Sequence, residues 1–148
     1  MYTSEQSLIS DFIGFLGSPD EPWGVSGYAC EFDYTSGRTD VIATDGGGEV
    51  LAFEAKLESW RGALIQAHRN RCFAHRSYVV LPAATAYRAM RFEAEFRRRG
   101  VGICLVSRSG LVELIPSHTD APCLEWLRER ALGVVQDSMK EVQSDDRC

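Results

Sequence analysis

A chain of 148 residues holds one sizeable hydrophobic core and is too short for two ordinary ones, which excludes a second catalytic domain. With 45% hydrophobic and 25% charged residues, it has the balance of a folded globular protein rather than a disordered or collagen-like one. The net charge of −5 argues against a uniformly basic surface, but it hides an asymmetry: residues 1–55 carry one Arg and ten Asp/Glu, residues 56–100 ten Lys/Arg and three Glu, and residues 101–148 five against eight. An acidic stretch followed by a basic middle suits carboxylates beside a phosphate-binding surface, or simply solvated faces of unequal sign.

Leu8, Ile9, Phe12, Ile13 and Leu16 recur at helical spacing, so Thr3–Leu16 is expected to be a helix, with Thr3-x-x-Gln6 as its capping box and Gly17 and Pro19 as its stop. Three extended segments follow, Val25–Tyr34, Arg38–Thr44 and Glu49–Leu57, joined by turns at Thr35-Ser36-Gly37 and Asp45-Gly46-Gly47-Gly48. Glu58 to about His75 reads as a basic helix with Trp60, Ala63, Leu64, Ala67 and Ala74 on one side, and the almost wholly apolar Ser77–Leu81 as a central strand. Pro82 opens a helix running to about Arg99, Val101–Val106 and Leu111–Ile115 form a hairpin, and a last helix spans about Ala121 to Val142. The expectation is one domain over residues 1–142 and a polar tail at 143–148.

No apolar run approaches the ~18 residues that span a bilayer, and the N-terminus lacks the layout of a signal peptide. A cytoplasmic location without membrane contact is the expectation. Cys30, Cys72, Cys104, Cys123 and Cys148 are odd in number and form no CxxC pair, so they read as reduced thiols, mostly in the core. Phe12, Phe53, Trp60, Tyr78 and Tyr87 lie on apolar stripes and also read as core.

The third extended segment alternates, placing Leu51, Phe53, Ala55 and Leu57 on one face and Glu54 with Lys56 on the other. Lysine is scarce here, since Lys56 and Lys140 stand against fourteen arginines, and only Lys56 follows an acid two residues earlier. If Gly46–Gly48 form the loop, Asp45 pairs with Glu49 and Asp40 falls opposite Glu54. Opposed carboxylates repel, and a bound cation is a reason to keep them. Hard oxygen ligands of this kind suit Mg²⁺ or Mn²⁺.

Asp40 followed, after thirteen residues, by Glu54-Ala55-Lys56 at the end of a hairpin resembles the PD-(D/E)xK nuclease superfamily, although Thr39 stands where that motif's proline would. The resemblance implies the restriction-endonuclease-like fold, an αβββαβ core with a mixed central sheet flanked by helices, here followed by a C-terminal β-hairpin and helix. It implies a Mg²⁺-dependent nuclease, with Asp40, Glu54 and the Ala55 carbonyl as metal ligands and Lys56 positioning or deprotonating water. Gln66 resembles a glutamine that some branches place near the site, and Glu5 an acidic residue, here a further metal ligand, that some members contribute from the first helix. Each also has a plain reading: a solvated helix residue for Gln66, a first-turn helix charge for Glu5 and a surface ion-pair cluster for Asp40, Glu54 and Lys56. Arg61, Arg69, Arg71 and Arg76, with His68 and His75, are candidate phosphate contacts or a solvated helix face.

The favoured expectation is phosphodiester hydrolysis in nucleic acid, DNA ahead of RNA. The competing expectation is a catalytically silent nucleic-acid-binding or protein-interaction module of the same fold. A homodimer is expected because the C-terminal hairpin and helix exceed the core and must pack somewhere.

Overall fold

The structure, a computed structural model, describes residues 2–35 and 37–141. In chain order the elements are α1 (Glu5–Phe15), β1 (Gly27–Tyr34), β2 (Gly37–Thr44), β3 (Val50–Ala55), α2 (Trp60–Asn70), β4 (Arg76–Leu81), α3 (Ala83–Met90), α4 (Glu93–Arg99), β5 (Gly102–Ser107), β6 (Gly110–Ile115) and α5 (Glu125–Glu141). The strands form one six-stranded sheet in sequential order β1 to β6. Its centre, β3-β4-β5, is parallel, while β1-β2-β3 and β5-β6 are antiparallel. The fold is therefore α/β, with a mixed sheet flanked by helices.

Strand alternation decides what covers each face. Val41, Ala43, Leu51, Phe53, Tyr78, Val80, Cys104 and Val106 pack with Leu8 and Phe12 of α1 and with Trp23. The Phe53 ring centre lies 4.7 Å from that of Phe12 and 5.0 Å from that of Trp23, so this layer is sealed by aromatic contacts. On the opposite face, Val79, Leu81, Ile103 and Leu105 receive Leu64 and Ala67 of α2, Ala86 and Ala89 of α3 and Phe96 of α4. The same face of β2 and β3, through Ile42, Val50 and Ala52, packs on Phe73 and on Leu127, Ala131 and Val135 of α5. β4 is covered on both sides, which is why its sequence is a continuous apolar run.

The hairpin between β2 and β3 has the register expected from a three-glycine loop: Val41 pairs with Phe53, Ile42 with Ala52, Ala43 with Leu51 and Thr44 with Val50. Asp45 N–H donates to the Glu49 carbonyl at 3.4 Å, and the Asp45 carboxylate accepts from Gly47 N–H at 2.9 Å and from Glu49 N–H at 3.2 Å. Gly46 and Gly48 take φ of +81° and +91°, which a side chain would strain.

Several expectations are corrected. Ser4 rather than Thr3 caps α1, its Oγ accepting from Ser7 N–H at 3.1 Å. The helix expected from Pro82 to Arg99 is two, because Phe92 leaves helical dihedrals (φ −116°, ψ 33°) and its ring settles 4.9 Å from that of Trp60. Tyr87 is 62% exposed rather than core. Cys30 is half of a disulfide rather than a reduced thiol, whereas Cys72, Cys104 and Cys123 are free and only Cys104 of these three is buried. α5 starts at Glu125, after a segment held across the sheet by Asp120 N–H to the His75 carbonyl and Leu124 N–H to the Cys72 carbonyl. The C-terminal surplus packs within the chain, as β6 on the sheet and α5 on β1 and β2, so it does not itself call for a partner. Among the described residues no helix is long and apolar enough to cross a membrane. The tail at 143–148, with Cys148, lies outside the described residues, as does Ser36 of the first turn.

Candidate active site

The site lies where the β2–β3 ladder stops. The last paired residues are Val41 and Phe53, and one step further the same register brings Asp40 beside Glu54. There the backbone pairing gives way to a side chain: Ala55 N–H donates to Asp40 Oδ2 at 2.8 Å. In an antiparallel strand the N–H and C=O of one residue face the same neighbour, so the Ala55 carbonyl is turned to the Asp40 side as well. Asp40 stands close enough to Glu54 for its charge and hydrogen-bonding capacity to act on that carboxyl.

Glu54 is only 5% exposed. Burial foremost, then the charge and the hydrogen bonding of Asp40, push its pKa up to about 8; the hydrogen bond from Asn70 and the Lys56 charge pull the other way without prevailing. Two carboxylates cannot share a desolvated site without one holding a proton or a cation standing between them. Asn70, at the end of α2 and fully buried, supports the pair from below. Its amide Nδ2 donates to Glu54 Oε2 at 2.8 Å, and its Oδ1 accepts from Tyr34 Oη at 2.7 Å and Thr39 Oγ1 at 3.0 Å. With its oxygen taken, Asn70 turns its NH₂ group to Glu54 and aims the carboxyl. Burial above all raises the Tyr34 hydroxyl to about 12, so Tyr34 stays a donor throughout the physiological range.

Asn70, Tyr34 and Thr39 are absent from the candidates read in the sequence. A signal was present: Asn70 continues the buried stripe of Trp60, Ala63, Leu64 and Ala67 along α2, and a polar residue on an apolar stripe demands partners.

The other candidates are placed differently. Lys56 follows β3, its N–H held by the Val80 carbonyl at 3.2 Å, and its Nζ lies 3.9 Å from Glu5 Oε2, both side chains being nearly half exposed. Glu5 therefore meets Lys56, not the carboxylate pair, because α1 covers the opposite face of the sheet. Gln66 Nε2 donates to the Arg38 carbonyl at 3.0 Å, one residue short of Thr39, and Asn70, one turn later, takes the place beside Glu54. Among the described residues no group of three or more His, Cys, Asp and Glu side chains converges. Two carboxylates with a neighbouring peptide carbonyl nevertheless fit Mg²⁺, which commonly takes one or two carboxylates and completes its shell with water and phosphate oxygens.

The basic residues of α2 and its flanks are largely committed to the fold. Arg61 lies over the Trp60 and Phe92 rings and pairs with Glu95. Arg71 binds the Gly100 carbonyl at 2.7 Å and Asp120, and Arg76 pairs with Glu49 at 3.0 Å. His75 Nδ1 accepts from Val50 N–H at 3.0 Å, and His68 Nδ1 lies 3.3 Å from the Arg99 carbonyl. Further cations stand at the C-terminal ends of the parallel strands, where Lys56, Arg88 and Arg108 line a groove of about 790 Å³.

No family model and no curated protein matches this sequence. Among solved structures it is similar to the SPO1766 protein of unknown function from Silicibacter pomeroyi, at 14% identity over 83% of this chain and 84% of that one, with a TM-score of 0.57. The likeness is one of fold.

Proposed function

We propose that the protein is a Mg²⁺-dependent nuclease of restriction-endonuclease-like fold that hydrolyses phosphodiester bonds in nucleic acid, DNA ahead of RNA. The observation that carries this reading is the Asp40–Glu54 pair: two carboxyls are kept together at the end of a hairpin, one of them buried and aimed by Asn70, where the packing would favour an apolar side chain. Two carboxyls held together at a desolvated point force one of them to keep a proton until a cation takes its place.

Asp40, Glu54 and the Ala55 carbonyl are the groups that would hold the ion. A bound Mg²⁺ or Mn²⁺ would polarise the scissile phosphate and lower the pKa of an attacking water. Asn70 fixes the Glu54 carboxyl so that both of its oxygens need not reorganise during the reaction. Lys56 follows directly after β3, at the mouth of the groove. A lysine there can orient a water through its three donors and exchange a proton with it, which an arginine cannot do. Glu5 opposes Lys56 and restrains its ammonium while leaving it in reach of solvent. Gln66 steadies the end of β2 through the Arg38 carbonyl and so acts on Asp40 through the backbone.

The test is a cleavage assay with Mg²⁺ or Mn²⁺ on supercoiled, linear, single-stranded and branched DNA and on RNA, run for wild type beside Glu54→Ala. Metal-dependent cutting that is lost in Glu54→Ala is the expected result. Cutting that survives in the variant would assign the activity elsewhere, and nucleic-acid binding without any cutting would favour a binding module of this fold.

A further inference from the structure

We propose that the groove beside Lys56 seats one nucleotide unit, its base against the apolar wall and its phosphate on Arg88, Arg108 and Lys56, so that the protein engages unpaired rather than fully paired nucleic acid. The inference rests on the nuclease reading for the nature of the strand and goes beyond it in assigning a site that the carboxylate pair does not line.

The groove opens at the C-terminal ends of β3, β4 and β5, between the start of α1 and the start of α3. Its volume of about 790 Å³ falls in the range of small-molecule sites and exceeds what a single base requires. Leu57, Pro82 and Ala84 supply an apolar wall, a surface for a planar ring and a poor one for a hydrated ion. Tyr2 also lines the groove, and the Arg108 guanidinium lies over its ring, 5.8 Å from the centre, which holds that cation at the rim.

The charges specify the rest of the ligand. Arg88 and Arg108 are exposed; Arg88 is restrained by the Thr85 hydroxyl at 3.2 Å rather than by a carboxylate. Glu5 already engages Lys56, which leaves Glu58 as the other acid among the lining residues. The first turn of α3 also lines the groove, and its N-cap, Pro82, has no side chain to cap the amides. Two arginines beside an uncapped helix start favour a phosphate. An apolar wall with an anion site at its rim matches a nucleotide, whereas a base paired within a duplex cannot turn its ring to the wall.

The ligand chemistry has two sources, a free nucleotide or one unit of a strand. The test is fluorescence anisotropy of the whole chain in EDTA, which prevents cutting. The probes are a labelled oligothymidylate of about 12 nucleotides and a blunt duplex of the same length, with thymidine monophosphate as competitor. We expect the single strand to bind more tightly than the duplex and Arg88→Ala or Arg108→Ala to weaken it by ~10-fold. Ala84→Trp, at an exposed position, should block it with an unchanged melting temperature. Competition by the mononucleotide would place a free nucleotide in the groove, and its failure beside tight oligomer binding would place a strand there. Equal binding of single strand and duplex, or variants that bind as wild type, would overturn the inference. Because binding is read without cleavage, this failure and that of the nuclease reading are separable: wild type that cuts while the groove variants bind normally loses the groove and keeps the nuclease.

Discussion

Replacing Glu54 with Gln should stabilise the metal-free protein, and by an amount that depends on pH. In the fold the Glu54 carboxyl is held at about 8 against an ordinary 4.5, by burial and by Asp40. Below the ordinary value both folded and unfolded chains carry the proton and nothing is lost. Between the two values the unfolded chain releases the proton while the folded chain keeps it, so stability falls as pH rises, and above the folded value the loss is complete. A difference of roughly 3.5 pKa units corresponds to ~5 kcal/mol at most, of which ~3 kcal/mol is already felt at neutral pH. Glutamine keeps the acceptor for the Asn70 amide and can donate to Asp40 in place of the lost proton, so it has no reason to disturb the packing. Urea denaturation in EDTA, from about pH 5 to 8.5, should show the two proteins nearly equal at the acid end. The variant should then become progressively more stable, by a few kcal/mol, at the alkaline end. Parallel stability curves, or a variant less stable throughout, would refute the claim that two carboxyls are forced together at this point.

Other residues separate chemistry from architecture. Lys56→Ala should cut at least ~100-fold more slowly in a single-turnover assay while melting like wild type, because its pairing with Glu5 is half exposed and contributes little. Asn70→Ala leaves Glu54, Tyr34 and Thr39 without their shared partner and should cost ~2–4 kcal/mol in urea denaturation; Gln66→Ala, at an exposed bond, should cost less than ~1 kcal/mol. Gly102→Ala would set a Cβ 2.4 Å from the Ile115 carbonyl oxygen and from the Tyr78 ring, and a loss of ~3 kcal/mol in thermal melting is expected.

The elements most legible in the sequence are those where one physical signal dominates. Three glycines after Asp45 define a hairpin whose register follows by counting, and the pairing of Val41 with Phe53 is that register. The apolar run of β4 announces a strand covered on both faces. The break at Phe92 was not legible, because it answers to a tertiary contact with Trp60 and the local sequence continues to favour helix. The same holds at the site. Asp40 and Glu54 are adjacent because β pairing has a fixed period, whereas the direction of Lys56, toward Glu5, depends on where β3 ends and how α1 lies across the sheet. Gln66 and Asn70 are one helical turn apart, and only the packing angle of α2 decides which of them reaches Glu54. The basic residues of α2 looked available for phosphate because sequence shows charge but not its partners, among them Glu95, Asp120 and Glu49.

The central claim, that the Asp40–Glu54 pair is built to hold a divalent cation, is tested most directly by titrating Mn²⁺ into the metal-free protein and following the free ion by electron paramagnetic resonance. Saturable binding is expected in wild type, tightening as pH rises toward and past about 8, where Glu54 loses its proton. Both Asp40→Asn and Glu54→Gln should lose that binding. Binding of equal strength in wild type and in the two variants, or no binding at any pH in that range, would contradict the claim.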